Sequence, residues 1–327
     1  MSRYGIIGGI SKPEQVKTVL ERYFDPQGID IIIVNGDLSS QVPQHQVKSH
    51  LETVFSILGK SGKPIFVQPG LQDRIATFEP AIFAAQKKYQ NIIDTRLHFN
   101  LQIGNHSLLF VPGHENTQSD YVFGDNYLQS SIYKTDQTKW IKTDLVQNSP
   151  LDTNLTFYYS LQNISRHINN PEHTILISPY PRRFYNTRCI DTLFYLQTVT
   201  GEMDIPEDIQ NKIGYREYYQ EVKDLLKDTD YGFIHAGSKL LEEFLDQFNI
   251  TKSISSNPTI NSQFATTSKG APCTDKKFHS DIHYNTGRLE DGLAGAIYIQ
   301  DDQRLGFVNI DMRRRDRENV FTSLPLN

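Results

Sequence analysis

The fold is decided by residues 30–37, Asp-Ile-Ile-Ile-Val-Asn-Gly-Asp. A run of apolar, mostly β-branched residues of this kind is typical of a strand that is buried on both faces. The run stops at Asn-Gly-Asp, which places the carboxylate of Asp37 at the carboxyl end of a central strand. Open α/β sheets bind their ligands at that edge, so the sequence predicts a site around Asp37.

Apolar periodicity on both sides of this stretch predicts a parallel βαβ layer. Strands and helices alternate over residues 4–7, 11–23, 30–37, 47–58, 64–67 and 76–89. Ser11 and Glu14 have capping-box spacing, so Ser11 is predicted as the N-cap of the first helix.

From residue 92 onward the apolar period is two, which predicts β-hairpins over residues 99–111 and 294–310. Short apolar runs predict two more strands at 174–177 and 231–234. Helical patterns predict helices around Trp140 and at 161–168 and 207–227. There is no repeat and no clean linker, so we predict a single domain over 1–327. It would carry a polar loop insertion at about 252–283 and a basic C-terminal tail at about 313–327.

Composition excludes several classes of protein. Hydrophobic residues make up 38% and charged residues 22%, which is typical of a globular chain. The net charge of −5 argues against a general nucleic-acid coat. The only cysteines, Cys189 and Cys273, are too few for a disulfide framework, and the N-terminus lacks a signal-peptide run. We therefore predict a cytoplasmic or other reducing intracellular compartment, with no membrane partner.

This order of elements resembles the calcineurin-like metallophosphoesterase superfamily, and the match spans nearly the whole chain. The resemblance implies an α/β fold, a four-layer α/β/β/α sandwich in which two mixed β-sheets are flanked by helices. In that family, loops at strand ends carry Asp-x-His, Gly-Asp, Gly-Asn-His-Asp/Glu, a lone His and Gly-His-x-His. Two cations bridged by one aspartate activate a water there, and a histidine assists the leaving group.

Only Asp37 keeps its residue type among the positions matched to these ligands. The family's other metal and catalytic positions fall, in this sequence, on Gly9, Ser11, Leu71, Gln72, Pro179, Ser238 and Leu240. Residues 284–288, Tyr-Asn-Thr-Gly-Arg, resemble an altered form of the family's Asn-Pro-Gly-Ser turn. One carboxylate cannot hold two divalent cations, so we predict no metal site, no cofactor and no catalytic residues.

Two alternatives keep a ligand at this edge. In the first, the chain is a metal-dependent phosphoric ester hydrolase with a rebuilt or single-metal site for Mn, Fe or Zn, built from Asp37, Asp73, His114, His235 and His283. Asp37, Asp73 and His235 would then be the catalytic residues. In the second, basic loop residues bind a phosphate or nucleotide without hydrolysing it. The residues for this anion site are Lys12, Arg74, Arg182, Arg183, Lys239 and Arg288.

Two further stretches spell family motifs in other contexts. Gly104-Asn105-His106 lies at a predicted hairpin turn, where Gly-Asn supplies positive φ. Residues 280–283, Ser-Asp-Ile-His, follow the predicted long loop. Neither position favours a metal site.

These observations favour a pseudoenzyme, a phosphoesterase scaffold that binds other proteins as a subunit of a larger assembly. The resemblance supports this, because degenerate relatives serve as non-catalytic subunits, such as the small subunits of replicative DNA polymerases. The basic run at 313–317 gives weak support for a nucleic-acid partner.

Overall fold

The structure is a computed structural model that describes residues 1–115, 119–125, 130–136, 139–142, 155–185, 189–197, 230–257 and 262–313. Every structural statement below concerns these residues. The predicted helix at 207–227 lies outside them, and so does the predicted basic tail beyond Arg313.

Two large mixed sheets form the centre of the fold. The first has seven strands, in the spatial order β16 (Phe278–His279), β19 (Leu305–Asp311), β18 (Leu293–Ile299), β1 (Ser2–Ile7), β2 (Ile31–Asn35), β3 (Ile65–Gln68) and β4 (Ile92–Asp94). The second has six, in the order β15 (Phe264–Thr266), β17 (Ile282–Asn285), β14 (Lys252–Ser255), β11 (Thr174–Ile177), β6 (His106–Phe110) and β5 (Asn100–Ile103).

Strands β1 to β4 are parallel, as the βαβ pattern predicted, and Ile33 of β2 pairs with Ile6 on one side and Phe66 on the other. In the second sheet, β6, β11, β14 and β17 are also parallel. Both predicted hairpins are confirmed as β5–β6 and β18–β19.

Helices cover the outer faces of both sheets. They are α1 (Pro13–Val19, followed by a π-helical turn at Leu20–Phe24), α2 (Val47–Lys60), α3 (Ile75–Lys88), α4 (Leu161–Ser165) and α5 (Lys239–Gln247). Short 3₁₀ turns lie at Gln44–Gln46, Thr95–Leu97, Pro171–His173 and Leu289–Asp291. Among the described residues, no helix combines the length and apolar character needed to cross a bilayer.

Strand β2 shows why the sequence folds in four layers. Ile32 and Val34 pack with the helices, whereas Ile33 lies between the two sheets against residues such as Phe110 and Ile177. All three β2 side chains are fully buried. Because side chains alternate across a strand, one apolar run contributes to two cores. The predicted α/β/β/α sandwich with two mixed sheets is confirmed.

Two smaller sheets accompany the sandwich. One has the order β7 (Tyr121–Gly124), β10 (Leu155–Ser160), β8 (Ser131–Asp136) and β9 (Lys139–Lys142), and the other pairs β12 (Thr192–Gln197) with β13 (Asp230–His235). The helix predicted around Trp140 was therefore wrong, because Trp140 lies in β9 and pairs with Thr135 of β8.

The predicted polar loop insertion at 252–283 is not one continuous loop, because this stretch contains β14, β15, β16 and the start of β17. The strand β14 is polar because its serines form hydrogen bonds inside the sheet: Ser253 Oγ lies 2.7 Å from Nδ1 of His283. Its Lys252 donates to the carbonyl of Glu172. The single-domain assignment stays a prediction.

Ser11 does not cap the first helix as predicted. The N-cap of α1 is Lys12, which makes no side-chain capping bond, and Pro13 occupies the first helical turn. Both cysteines are buried, and they form no disulfide bond with each other.

Candidate functional site

Loops from both large sheets meet at the carboxyl ends of their parallel strands. We call this region the mouth and define it by residues 8–12, 36–41, 69–73, 178–180, 256–257 and 286–288, which follow β1, β2, β3, β11, β14 and β17. Backbone hydrogen bonds join these loops directly: Gly9 donates to the carbonyl of Gly36 (3.0 Å), and Leu289 donates to the carbonyl of Gly8 (2.7 Å). The predicted site around Asp37 lies among these loops.

Asp37 closes β2 in the left-handed backbone region, with φ of 54°. Its carbonyl accepts from the amide of Ile10 (2.8 Å), and its Oδ1 accepts from the amide of Gln72 (2.9 Å). Burial raises the pKa of the Asp37 carboxyl above its ordinary value, and the Gln72 amide and the positive charge of Arg288 oppose that rise. Through its carbonyl and its carboxylate together, Asp37 therefore joins three loops.

Asp73 lies beside Asp37 and is almost fully buried. Its carboxylate accepts from the amides of Gly70 (2.8 Å) and Leu38 (3.2 Å) and from the Ser39 hydroxyl (3.3 Å). Burial, followed by repulsion from Asp37, raises the pKa of Asp73 to about 7. Both of its oxygens are engaged within the protein, so the first role of Asp73 is to tie the second and third loops together.

The Arg288 side chain lies over Gly9, the position matched to the family's first aspartate. A Cβ added at Gly9 would lie 2.7 Å from Cβ, Cγ and Nε of Arg288. Arg288 is 7% exposed, donates to the Ser40 hydroxyl and forms an ion pair with Glu290. The space that an aspartate side chain at position 9 would need is thus filled by a guanidinium side chain.

The loops around Asp37 are packed just as closely on the other side. A Cβ added at Gly36 would lie 2.8 Å from Cγ of Pro179, and one added at Gly70 would lie 2.3 Å from Oδ1 of Asp37. Pro179 is the position matched to the family's lone histidine. Its ring therefore packs against the turn that precedes Asp37.

A layer of neutral polar groups lies behind the mouth. The Asn35 amide donates to the carbonyl of Ser178 (2.8 Å) and to the Ser256 hydroxyl (3.2 Å), and Ser256 Oγ lies 2.9 Å from Oγ1 of Thr286. Gln68 donates to the side-chain oxygen of Asn35. Amides and hydroxyls link the two sheets here without any net charge.

The structure places Ser238 and Leu240 away from the loop position that the sequence match gave them. The strand before them, β13, pairs with β12 in the separate ribbon, and the neighbour of β11 in the six-stranded sheet is β14. The fifth loop of the mouth is therefore 256–257, which begins with Ser256. Ser238 instead caps α5: it accepts from the Leu241 amide (3.1 Å) and donates to Glu115 (2.7 Å).

The histidines considered for a rebuilt metal site have other contacts. His283 is fully buried, with Ser253 Oγ 2.7 Å from Nδ1 and Ser268 Oγ 3.0 Å from Nε2, and burial lowers its pKa well below the ordinary value. His235 Nδ1 lies 3.1 Å from the buried carboxylate of Asp191. Neither contacts Asp37.

His114 is the one of these histidines that lies against a mouth residue. Its ring meets that of Tyr180 edge-on, with centroids 3.9 Å apart, and burial lowers its pKa to about 4. His106, from the hairpin motif, bonds instead to the Tyr4 hydroxyl at 2.6 Å. Among the residues that the structure describes, no group of three or more His, Cys, Asp or Glu could hold a metal ion.

Five of the six cations of the predicted anion site have contacts of their own in the structure. Three of them pair with carboxylates on the surrounding elements: Arg182 with Asp246, Arg74 with Asp120, and Lys239 with Glu243. Arg183 lies over the ring of Tyr185, and Lys12 is exposed at the start of α1. Arg288 is the one that approaches Asp37.

Sequence reasoning missed Tyr180 and Asn257. Tyr180 interacts with Asp37 and with the Asn257 side chain, and burial raises the pKa of its hydroxyl. The signal for Tyr180 was its place between two prolines just after a buried strand. Asn257 gave no signal, because β14 was not predicted as a strand.

No protein-family model matches the chain, and no curated protein matches it. Among solved structures, the crystal structure of TT1561 of Thermus thermophilus is 10% identical over 94% of this chain and 98% of that one, with a TM-score of 0.51. Another crystal structure is 14% identical over the same shares, with a TM-score of 0.49, which is too low to carry an argument. The similarity to TT1561 shows the fold alone.

Proposed function

We propose that this chain is a catalytically degenerate metallophosphoesterase-like protein, a pseudoenzyme that acts by binding other proteins as a subunit of a larger assembly. The observation that carries the proposal is the Arg288 side chain over Gly9. A dinuclear site needs several anionic or imidazole ligands around one bridging aspartate. Here the space on one side of Asp37 holds a fixed positive charge instead.

Electrostatics support the same conclusion. The guanidinium of Arg288 stabilises the charged form of Asp37, which is the role a cation would have in an enzyme. Arg288 is therefore already the counter-charge of the Asp37 carboxylate, and its ion pair with Glu290 holds the guanidinium there. The neutral layer of Asn35, Gln68 and Ser256 offers no compensating charge.

Hydrolysis is tested by metal analysis and by an aryl-phosphate assay. The protein would be purified, incubated with Mn²⁺, desalted and assayed for bound metal and for turnover of p-nitrophenyl phosphate and its bis ester. We expect less than one tightly bound metal ion per chain and the same background turnover in the wild type and in Asp37→Ala. Two bound metal ions, with turnover that Asp37→Ala abolishes, would refute the proposal.

The other two functions stay predictions, and no specific contact favours either. A rebuilt metal site would need Asp73, whose oxygens already bind Gly70, Leu38 and Ser39. A phosphate or nucleotide site at the mouth would need cations that are free to bind it, whereas four of the six candidates are paired with carboxylates.

A further inference from the structure

Helix α3 exposes an apolar face. Its exposed residues before the last turn are Ala76, Pro80, Phe83 and Ala84, and the Phe83 side chain is 59% exposed. These positions recur at intervals of three and four and so form one stripe along the helix. The nearest acidic residue, Glu79, is turned aside and binds Arg96 and Tyr121. A surface helix normally presents charged residues to water.

The neighbouring helix α2 shows the ordinary pattern. Its exposed residues are Lys48, Ser49, Glu52, Thr53 and Lys60, all of them polar. The two helices pack against the same sheet and against each other, so the difference does not come from their place in the fold. Of these two helices, α3 is the one with an apolar outer face.

A second large apolar side chain, Leu97, is 76% exposed in the turn whose Arg96 binds Glu79 of α3. We call the surface formed by Ala76, Pro80, Phe83 and Ala84 the α3 face. It runs for most of a 14-residue helix, which is about 20 Å long.

Positive charge lies at one end of the α3 face. Lys87 places its ammonium 4.2 Å from the centre of the Phe83 ring, and Lys88 and Lys60 lie near Tyr89 at the same end. In the part of the chain that the structure describes, no carboxylate pairs with these three lysines. At the opposite end Arg74 is already paired with Asp120.

We propose that the α3 face binds an amphipathic helix of a partner protein whose apolar ridge is followed by acidic residues at one end. A straight apolar stripe of this length fits a helix laid alongside it, and carboxylates on that helix would meet Lys60, Lys87 and Lys88. Phe83 is the central aromatic anchor of the kind that dominates binding. This inference rests on the proposed function and names the partner's chemistry.

Photo-crosslinking in the cells that express the protein tests the proposal. A p-benzoylphenylalanine residue would replace Ala84, and the matched control would carry it at Thr53 on α2. We expect a partner protein to cross-link to position 84 and not to position 53. The cross-linked peptide of that partner should be rich in acidic residues. The purified partner should bind Phe83→Ser at least about tenfold more weakly than wild type. K87E/K88E should also weaken binding and reduce its dependence on salt.

The folding of both variants is checked by thermal unfolding, and Thr53→Ala should bind like the wild type. The proposal is overturned if position 84 captures nothing, captures only a second copy of this chain, or cross-links to a segment without acidic residues. It is equally overturned if Phe83→Ser binds like the wild type. A partner that cross-links only to position 53 would rule out the α3 face as the binding site without contradicting the proposed function. Metal-dependent turnover that requires Asp37 would remove the proposed function itself.

Discussion

Replacing Gly9 by alanine tests the central contact of the mouth. Gly9 has φ of +62°, a conformation that costs an L-residue about 1–2 kcal/mol. The added Cβ would also lie 2.7 Å from three atoms of the buried Arg288, and overpacking of this kind costs about 1–3 kcal/mol. We therefore expect Gly9→Ala to lower the free energy of unfolding by about 2–5 kcal/mol.

Gly62→Ala is the matched control. Gly62 also has positive φ, at +72°, but an added Cβ there meets nothing within 4 Å. Only the backbone cost of about 1–2 kcal/mol applies. The difference between the two variants isolates the steric cost of the Arg288 contact.

A double-mutant cycle with Arg288→Gly completes the test, because that substitution removes all three contacted atoms. In the Arg288→Gly background, Gly9→Ala should cost only its backbone share, which gives a coupling of about 1–3 kcal/mol. Urea unfolding followed by circular dichroism measures each corner of the cycle. A coupling near zero, or equal costs for Gly9→Ala and Gly62→Ala, would refute the placement of Arg288 over Gly9.

Two further outcomes follow from buried charges. The pKa of Asp73 is about 7 in the folded state and 3.8 ordinarily, so the unfolded chain loses this proton first and the free energy of unfolding falls as pH rises from about 4 to 7. Asp73→Asn lacks this proton, so its urea midpoint should rise relative to that of the wild type across the same pH range. A constant difference between the two midpoints over that range would contradict the raised pKa. Arg96→Met should cost about 3–5 kcal/mol in urea unfolding, because it leaves the buried Asp94 and the largely buried Glu79 unpaired. Arg74→Met, which breaks a half-exposed pair, should cost at most about 1 kcal/mol, and equal costs would contradict this ranking.

The elements that sequence reasoning predicted correctly carry their signal locally. Ile32, Ile33 and Val34 are apolar on consecutive positions, and their β-branched side chains favour a strand that contributes to two cores. The hairpin at 99–111 is likewise marked by alternation on each side of Gly104, which has the positive φ that its turn requires.

The elements that were missed depend on partners distant in the chain. Strand β14 has no apolar alternation because Ser253 is satisfied by His283, 30 residues later. Without β14, the fifth family motif was matched to Ser238 and Leu240, which follow the predicted strand at 231–234. A polar strand cannot be told from a loop by periodicity when its hydrogen-bond partners are unknown.

The same limit applies to the site. From the sequence we predicted that the metallophosphoesterase ligands are missing, because residue types at strand ends can be compared directly with the motifs of that family. It could not show what replaced them, because Arg288 reaches the mouth from a turn that lies 248 residues beyond Ser40, its hydrogen-bond partner. The six basic loop residues were grouped by their nearness to strand ends, and the sequence could not show that four of them are paired with carboxylates.

The survival of Asp37 does not by itself indicate chemistry. Its left-handed backbone is a conformation that aspartate tolerates better than most residues, and its carbonyl accepts the Ile10 amide that joins the first loop to the second. Its carboxylate accepts the Gln72 amide and faces the charge of Arg288. Each of these contacts holds loops together, and none needs a metal. These contacts explain the place of Asp37 at the end of β2 through structure alone, so its presence there is not in itself evidence of catalysis.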